Sequence, residues 1–226
     1  RESDERVNKQ FERTILPRCL PEQVEIAWST DGASPPFGYE FIPACEMHDV
    51  NFGEKRPAPT GRHVAGQDLH AFPFRICGHC GLAQKPPKGP DDPGQHSSRC
   101  KAKDGAQARS EWQREISLMR RWKTEALRVV MPVAGDACHD EIKSFSAAID
   151  LGLRSYFDGA VDHIRSTAVS EMVRGAPMKS LYLYDAVPGG SGYLRQLAED
   201  QTSLRKLFAL TKEALEDCPC ASDEDP

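Results

Sequence analysis

A chain of 226 residues, of which 39% are hydrophobic, is long enough to bury a core as one large domain or two small ones. The net charge of -5 excludes the overall basic excess that by itself indicates nucleic-acid binding, so a contact with phosphates would need a local patch. No apolar run approaches the roughly 20 residues that a membrane-spanning helix needs. Because the N-terminus also lacks the apolar region of a signal peptide, we expect a soluble protein with no membrane partner, and the missing initiator Met indicates a fragment of a longer chain.

Cysteine spacing indicates the cellular compartment. Four of the eight cysteines stand in close pairs, Cys77/Cys80 and Cys218/Cys220. Such pairs are more typical of metal ligation than of a secreted disulfide framework. We therefore expect a reducing, cytoplasmic setting.

Residues 1–71 form a first predicted segment, which is β-rich. Short β-leaning runs at 24–28 and 39–42 are broken by Pro and Gly, as in an antiparallel meander. A second segment, 72–106, begins within the β run LHAFPFRIC and continues into the polar loop QKPPKGPDDPGQH, which cannot pack a core. That loop separates two pairs of candidate metal ligands.

A third segment, 107–226, contains the longer predicted elements. The run REISLMRRWKTEALRVVMPV leaves helix and strand open, whereas 139–159 is predicted as a helix because apolar residues recur at spacings of three and four. AVDHIRSTAVSEMV and KSLYLYDA are predicted strands, and one final helix is expected over YLRQLAEDQTSLRKLFALTKEALEDC. The fold class is therefore α+β, with helices packed on a mostly antiparallel sheet and a zinc knuckle.

The most specific chemical signal is a CxxC pair, Cys77 and Cys80, followed after the loop by the HxxxC pair His96 and Cys100. Three thiolates and one imidazole can close a tetrahedron around zinc, and four protein ligands leave no open position for catalysis. His79 lies between the first two thiols and competes with His96 for the fourth position. The alternative is that the cysteines are free core thiols and His96 a surface residue.

A second candidate metal pair, Cys218 and Cys220, follows the last predicted helix. A CxC pair cannot complete a tetrahedral site alone, so either two further ligands lie beyond Pro226 or the pair has a redox or structural role. Cys19, Cys45 and Cys138 are isolated and are expected to be small buried hydrophobes.

The loop between the strand KSLYLYDA and the final helix is rich in glycine, and its defining residues are Asp185, Pro188, Gly189, Gly190 and Gly192. Exposed backbone N–H groups in such a loop can cradle an anion. A tight turn that needs positive φ explains the same glycines. The spacing is not that of a phosphate-binding P-loop.

The densest basic segment comprises Arg120, Arg121, Lys123 and Arg128, interleaved with Trp122. It could contact a nucleic-acid backbone while Trp122 stacks on a base, although a solvated charged face is the more frequent explanation. The chain has neither GxxxxGK[ST] nor GxSxG, and no open metal-ligand set, so no catalytic residue is predicted.

The stretches TEALRVVMP at 124–132, LYLYDAVPGGSGYLRQL at 181–197 and CPC at 218–220 resemble the MrfA-type zinc-binding domain. That domain is found at the C-terminal end of superfamily-two DNA helicases and in antiphage proteins of the DISARM and Druantia type. The resemblance implies that 107–226 is this domain, that its cysteine cluster begins at Cys218 and Cys220, and that it is truncated before a second CxxC pair. It also implies that YDAVPGGSGY is a family signature.

The resemblance further implies a function. The chain would be a zinc-binding accessory domain of a large bacterial ATP-dependent DNA helicase or translocase, in antiphage defence or DNA repair, contributing DNA engagement and structural support. Its partners would be DNA and helicase motor domains, in the same chain or in another subunit. This fragment would itself be no enzyme. The alternative is a protein-interaction module that docks a helicase to a partner defence subunit.

Overall fold

A computed structural model describes residues 11–30, 38–57, 61–64, 67–84, 95–101, 113–134, 139–159, 161–173 and 176–216. The chain divides into two compact units, each made of two separate stretches. The first unit is Arg1–Thr14 with Asp49–Arg120, and the second is Ile15–His48 with Arg121–Pro226. The boundaries expected at residues 71 and 106 stay a prediction. None of the helices in the described ranges is long and apolar enough to span a membrane.

The strands are, in chain order, β1 (Phe11–Arg18), β2 (Ile26–Ser29), β3 (Gly38–Lys55), β4 (His63–Val64), β5 (Gln67–Asp68), β6 (Ala71–Phe72), β7 (Phe74–Cys77), β8 (Ala83–Gln84), β9 (Gln113–Ile116), β10 (Leu118–Ala134), β11 (Ile164–Val173) and β12 (Ala176–Asp185). The α-helices are α1 (His139–Tyr156), α2 (Tyr193–Glu199) and α3 (Gln201–Glu216). A short 3-10 turn covers Pro21–Gln23. The predicted α+β class with a mostly antiparallel sheet is confirmed.

The second unit is built on a sheet with the strand order β1-β3-β10-β12-β11, in which β2 also pairs with β3. The β10–β12, β11–β12 and β2–β3 pairs are antiparallel. The Thr167 hydroxyl on β11 donates to the Ile15 carbonyl on β1, 3.1 Å away. The two end strands of the sheet therefore meet, and the sheet is nearly closed.

One face of this sheet carries the hydrophobic core of the unit. Leu127 and Val129 of β10 pair with Leu183 and Leu181 of β12, and these side chains are buried. The helices cover the face with Ile149, Leu153, Leu194, Leu197, Leu204 and Leu207. Burial of such side chains removes about 1.5–3 kcal/mol of unfavourable hydration each. The stripe predicted for α1 from its apolar spacing is therefore a core-facing stripe.

The chain after the glycine-rich loop forms two helices where the sequence pattern predicts one. Asp200 separates α2 from α3 with an extended backbone, φ -128° and ψ 116°. Its carboxylate accepts the Thr202 backbone N–H at 2.9 Å and also the Thr202 hydroxyl, and these hydrogen bonds lower the pKa of Asp200. A side-chain acceptor at this position caps the first turn of a new helix.

The first unit contains small sheets. One has the order β8-β7-β9, β4 pairs with β5, and β6 pairs with its part of β3. Strand β7 lies in the centre, with Arg75 opposite both Gln84 of β8 and Glu115 of β9. Strand β7 ends at Cys77, and this end holds the first pair of candidate metal ligands.

Candidate metal centre

The tight turn between β7 and β8 presents the first two thiols. The Gly81 N–H donates to the Cys77 carbonyl at 2.8 Å, and the Cys77 N–H donates to the Leu82 carbonyl at 2.9 Å. Gly81 has a φ of +73°, a conformation that a residue with a Cβ rarely adopts. The turn therefore brings Cys80 back beside Cys77.

A second turn brings the other two candidate ligands to the same place. The Cys100 N–H donates to the Ser97 carbonyl at 3.0 Å, which folds the chain between His96 and Cys100. The ligand atoms of Cys77, Cys80, His96 and Cys100 all lie within 4.8 Å of one another. Two sequence-distant pairs thus form one cluster.

The spacing of these atoms fits zinc. A tetrahedron with Zn–S near 2.3 Å and Zn–N near 2.0–2.1 Å places two sulfurs about 3.8 Å apart and a sulfur and a nitrogen about 3.6 Å apart. The Cys77 and Cys100 sulfurs are 3.8 Å apart. The His96 Nδ1 is 3.5 Å from the Cys100 sulfur and 3.9 Å from the Cys80 sulfur.

Local hydrogen bonds favour the thiolate form that metal binding requires. Backbone N–H groups of Ser97 and Leu82 lower the pKa of Cys80 to about 6. Burial raises the pKa of Cys77, but hydrogen bonds from the Cys80 and His79 backbone outweigh it and lower the pKa overall. The site is therefore electrostatically prepared for a cation.

The two histidines differ in their contacts with the thiols. His96 Nδ1 lies 3.9 Å from the Cys80 sulfur and 3.5 Å from the Cys100 sulfur, and His79 Nδ1 lies 3.8 Å from the Cys100 sulfur. The position of His96 within the cluster of four mutually close ligand atoms favours it as the fourth ligand. That assignment stays a prediction.

The remaining cysteines fall into two groups. Cys138, Cys218 and Cys220 lie outside the described residues, so the second candidate pair stays a prediction. Cys45 is fully buried and Cys19 is half-buried, and both thiols are free. Burial raises the pKa of Cys45 to about 12, as expected of a thiol that acts as a small core residue.

The predicted basic segment lies on β10, and its members have different surroundings. Arg121 and Lys123 are exposed in the second unit, and Arg120 is exposed in the first. Trp122 is half-buried, with its ring 6.3 Å from that of Tyr184. Strand alternation places Trp122 on the opposite face from Arg121 and Lys123, which does not favour joint stacking and phosphate contact.

Arg128 has a structural environment that the sequence pattern does not reveal. Its guanidinium forms ion pairs with Glu40 on β3 and Glu171 on β11, each at 3.0 Å. Its side chain is only 14% exposed. The Tyr182 hydroxyl donates to the same Glu171 at 3.2 Å. Arg128 thus joins three strands through charge and is not available to a phosphate in this arrangement.

The backbone N–H groups of the glycine-rich loop donate hydrogen bonds to other groups of the protein. The Gly189 N–H donates to the Lys123 carbonyl at 2.9 Å, and the Gly192 N–H donates to the Glu125 carboxylate at 3.0 Å. The Gly190 N–H donates to the Val187 carbonyl at 3.1 Å. These N–H groups are therefore already used, and the Glu125 carboxylate beside them would repel an anion. Both observations favour the tight turn over the anion cradle.

Sequence spacing missed a His–Ser contact that fastens this loop. His163 Nε2 lies 3.0 Å from the Ser191 hydroxyl and 3.9 Å from Asp185 Oδ2, and Asp185 is fully buried. Both groups approach the same ring nitrogen, whereas a Ser–His–Asp relay needs the carboxylate at the other one. The trio therefore fastens the loop and is not arranged as a nucleophilic triad.

Comparison with protein families finds a match in the C-terminal part of the chain. Residues 145–223 match the family model described as the MrfA Zn-binding domain. The resemblance seen in the sequence is confirmed. The matched region includes α1 from residue 145 onward, the β11–β12 hairpin, the glycine-rich loop, α2 and α3. It also includes Cys218 and Cys220, but none of the four clustered ligands, which lie at 77–100.

The chain was also compared with curated proteins and with solved structures. No curated protein matches the chain. A solved structure, the helicase MrfA bound to DNA, matches 95% of this chain at 12% identity with a TM-score of 0.45. This chain spans 22% of that protein's length.

Zinc, predicted as the cofactor, is supported by two separate observations. The MrfA-type domain is a zinc-binding family by description, and the four clustered side chains fit a tetrahedral zinc ion. When bound there, zinc would act as a structural cross-link between two turns. It would leave no position for a substrate, because four protein ligands fill its coordination shell.

Proposed function

We propose that this chain is an accessory region of a large ATP-dependent DNA helicase or translocase, in which zinc fastens the fold and the surface helps to engage DNA. The parent protein would act in bacterial, cytoplasmic antiphage defence or DNA repair, with motor domains in the same chain or in a partner subunit. The match of 145–223 to the MrfA Zn-binding domain carries this proposal. The accessory region itself would catalyse no reaction.

We propose two zinc sites for the complete region. The first has the ligands Cys77, Cys80, His96 and Cys100, which the geometry supports. The second would begin with Cys218 and Cys220 and would take two further ligands beyond Pro226. Each ion would cross-link a part of the chain that has too few apolar residues to form a core of its own.

Elemental analysis of the purified chain tests the zinc sites. We expect one zinc per chain, none in Cys77→Ser, and two in a chain extended beyond Pro226 along its natural sequence. Cys19→Ser is the matched control, because Cys19 is a half-buried free thiol outside the cluster, and it should keep its zinc. Absence of zinc from all of these proteins would contradict the proposal.

DNA engagement is proposed for the exposed side chains Arg121 and Lys123, which lie on one face of β10. Each phosphate contact contributes about 0.9 to the slope of log K against log salt on duplex DNA. We expect the double variant Arg121→Gln/Lys123→Gln to lower that slope by about 2. Arg205→Gln/Lys212→Gln removes two exposed charges from α3 and serves as the control, with the slope unchanged.

A protein-interaction role remains the second candidate, and one observation favours it. Leu118 and Met119 of β10 are 51% and 59% exposed, so both sides of the strand at this end offer an apolar side chain to a partner. In that case Leu118→Ser/Met119→Ser would weaken binding to the separately purified motor domains at least tenfold. The Arg121→Gln/Lys123→Gln variant would then bind the motor domains normally and show no change in DNA affinity.

A further inference from the structure

The Gln84 side chain connects the two ligand turns. Its Oε1 accepts the Gln95 backbone N–H at 2.9 Å, and its Nε2 donates to the Gln95 carbonyl at 2.6 Å. One carboxamide thus pairs with both polar groups of a single backbone residue, as a neighbouring strand would. Gln95 directly precedes the ligand His96.

The same amide also reaches the first ligand turn. Nε2 donates its second hydrogen to the Leu82 carbonyl at 2.9 Å, and that carbonyl already accepts the Cys77 N–H. A primary amide has two N–H donors, so both donors of Gln84 are used. Gln84 is therefore bonded to the backbone that holds each pair of ligands.

Loop closure explains why this contact matters for the metal. The ten residues between Gln84 and Gln95, KPPKGPDDPG, include four prolines and two glycines and have no apolar side chain outside proline. Bringing the ends of such a loop together costs conformational entropy, which an isolated zinc ion would have to offset on binding. A bond across the base of the loop closes it independently of the metal.

We propose that Gln84 is a positioning residue for the zinc ion of the knuckle, which preorganises the four ligands by closing the loop between them. This inference rests on the first zinc site of the proposed function. Gln84 does not touch the metal. It acts through Leu82 and Gln95 on the two turns that present the ligands, as outer-shell partners do at other metal sites.

Zinc competition against a chromophoric chelator, in the full chain, tests this role. Loss of an outer-shell partner typically weakens metal affinity by about 10- to 100-fold, and we expect about 10-fold for Gln84→Ala because its bonds are solvent-exposed. Gln84→Glu keeps the acceptor and loses both donors, so its affinity should lie between those of Gln84→Ala and the wild type. Gln196→Ala, an exposed glutamine on α2, should bind zinc as the wild type does.

Cobalt absorption spectra separate positioning from ligation. At saturating cobalt, Gln84→Ala should show the same band energies and intensities as the wild type, because the four ligands are unchanged. Cys77→Ser should lose thiolate-to-cobalt intensity. The helical circular dichroism of the second unit should be the same in all variants, which shows that each has folded.

The outcomes distinguish the two proposals. Zinc affinity within twofold of wild type for Gln84→Ala, with binding lost in Cys77→Ser, would overturn the role of Gln84 and leave the zinc site intact. A changed cobalt spectrum for Gln84→Ala would also overturn it. A wild-type chain that binds neither zinc nor cobalt would overturn the zinc site and this inference together.

Discussion

The knuckle and the helix-covered sheet are stabilised in different ways. Around the knuckle the buried cluster consists of Cys77 and Cys100, with Cys80 packed against them. The second unit instead buries one large cluster of aliphatic and aromatic side chains between its sheet and three helices. Apolar burial can stabilise the second region without a ligand, whereas the described residues of the knuckle bury little apolar surface, so we expect the knuckle to depend on zinc. Four changes should affect these regions separately.

The largest effect is expected from removing the metal. Structural zinc contributes about 10–16 kcal/mol of apparent binding free energy in small zinc peptides, far more than the hydrogen bonds of two short turns. We therefore expect a strong chelator, or Cys77→Ser, to expose the amides of 74–84 and 95–101 to fast hydrogen exchange. Amides of β12 and α3 should stay protected.

Cys19→Ser provides the control for this experiment, because it also replaces a free thiol but lies in the other unit. It should leave the exchange of the knuckle unchanged. Loss of protection throughout both regions after zinc removal would contradict the proposed independence of their stabilisation.

The second effect concerns the close approach of α1 and α3. A Cβ at Gly152 would overlap the Thr211 side chain, whose hydroxyl donates to the Leu207 carbonyl at 2.8 Å. We expect Gly152→Val to lower the free energy of unfolding of the second unit by about 3 kcal/mol, because overpacking forces helices apart. Urea denaturation followed by circular dichroism measures this change.

Rescue by a second change tests the cause. Gly152→Ala combined with Thr211→Ala should cost less than the sum of the two single variants, since Thr211→Ala removes atoms that the new methyl group meets. Zinc content should stay at the wild-type value in all of these variants. Additive costs would show that the contact between the helices is not the source of the effect.

The sequence predicts elements well where one local pattern decides the structure. The apolar spacing of 139–159 and the run KSLYLYDA are recognisable because helix and strand periods are local properties. The knuckle is recognisable because zinc requires specific side chains at short spacings. The helix break at Asp200 was not predictable in this way. The apolar stripe continues through this position, and the break depends on one capping carboxylate.

Pairings between distant strands were not predictable from the pattern. Arg128 stands in a basic segment, and its structural role depends on Glu40 and Glu171, which only the sheet order brings beside it. The contact between His163, which precedes β11, and Ser191 of the glycine-rich loop likewise depends on the tertiary fold. Sequence reasoning suggests a binding role for Arg128 and none for His163, whereas the tertiary contacts indicate that both residues hold the fold together.

The third effect separates buried from exposed charge in the second unit. Arg128→Ala leaves Glu171 and Glu40 without their cation, and their side chains are 25% and 31% exposed. We expect a loss of about 2 kcal/mol in unfolding free energy, below the 3–5 kcal/mol seen for fully buried pairs. Arg195→Ala removes the more exposed pair with Glu25 and should lower the unfolding free energy less than Arg128→Ala does. Equal costs in thermal or urea denaturation would contradict the structural role of Arg128.

The smallest effect is the contribution of Asp150 to the pH dependence of the second unit, which should be opposite in sign to that of the zinc site. Burial raises the pKa of Asp150, and hydrogen bonding from Ser166 offsets this only in part. A carboxyl whose pKa is raised on folding binds its proton more tightly in the folded state, so stability falls as the pH rises from about 4 through the raised pKa. Asp150→Asn should therefore stabilise the second unit at neutral pH and have little effect at pH 3.5, as measured by urea denaturation.

Zinc sites behave in the reverse sense, because protons displace the metal from thiolates and imidazole as the pH falls. Mild acid should thus open the knuckle while it relieves the cost of Asp150. A difference in stability between Asp150→Asn and the wild type that stayed the same at pH 3.5 and pH 7 would contradict this role of Asp150.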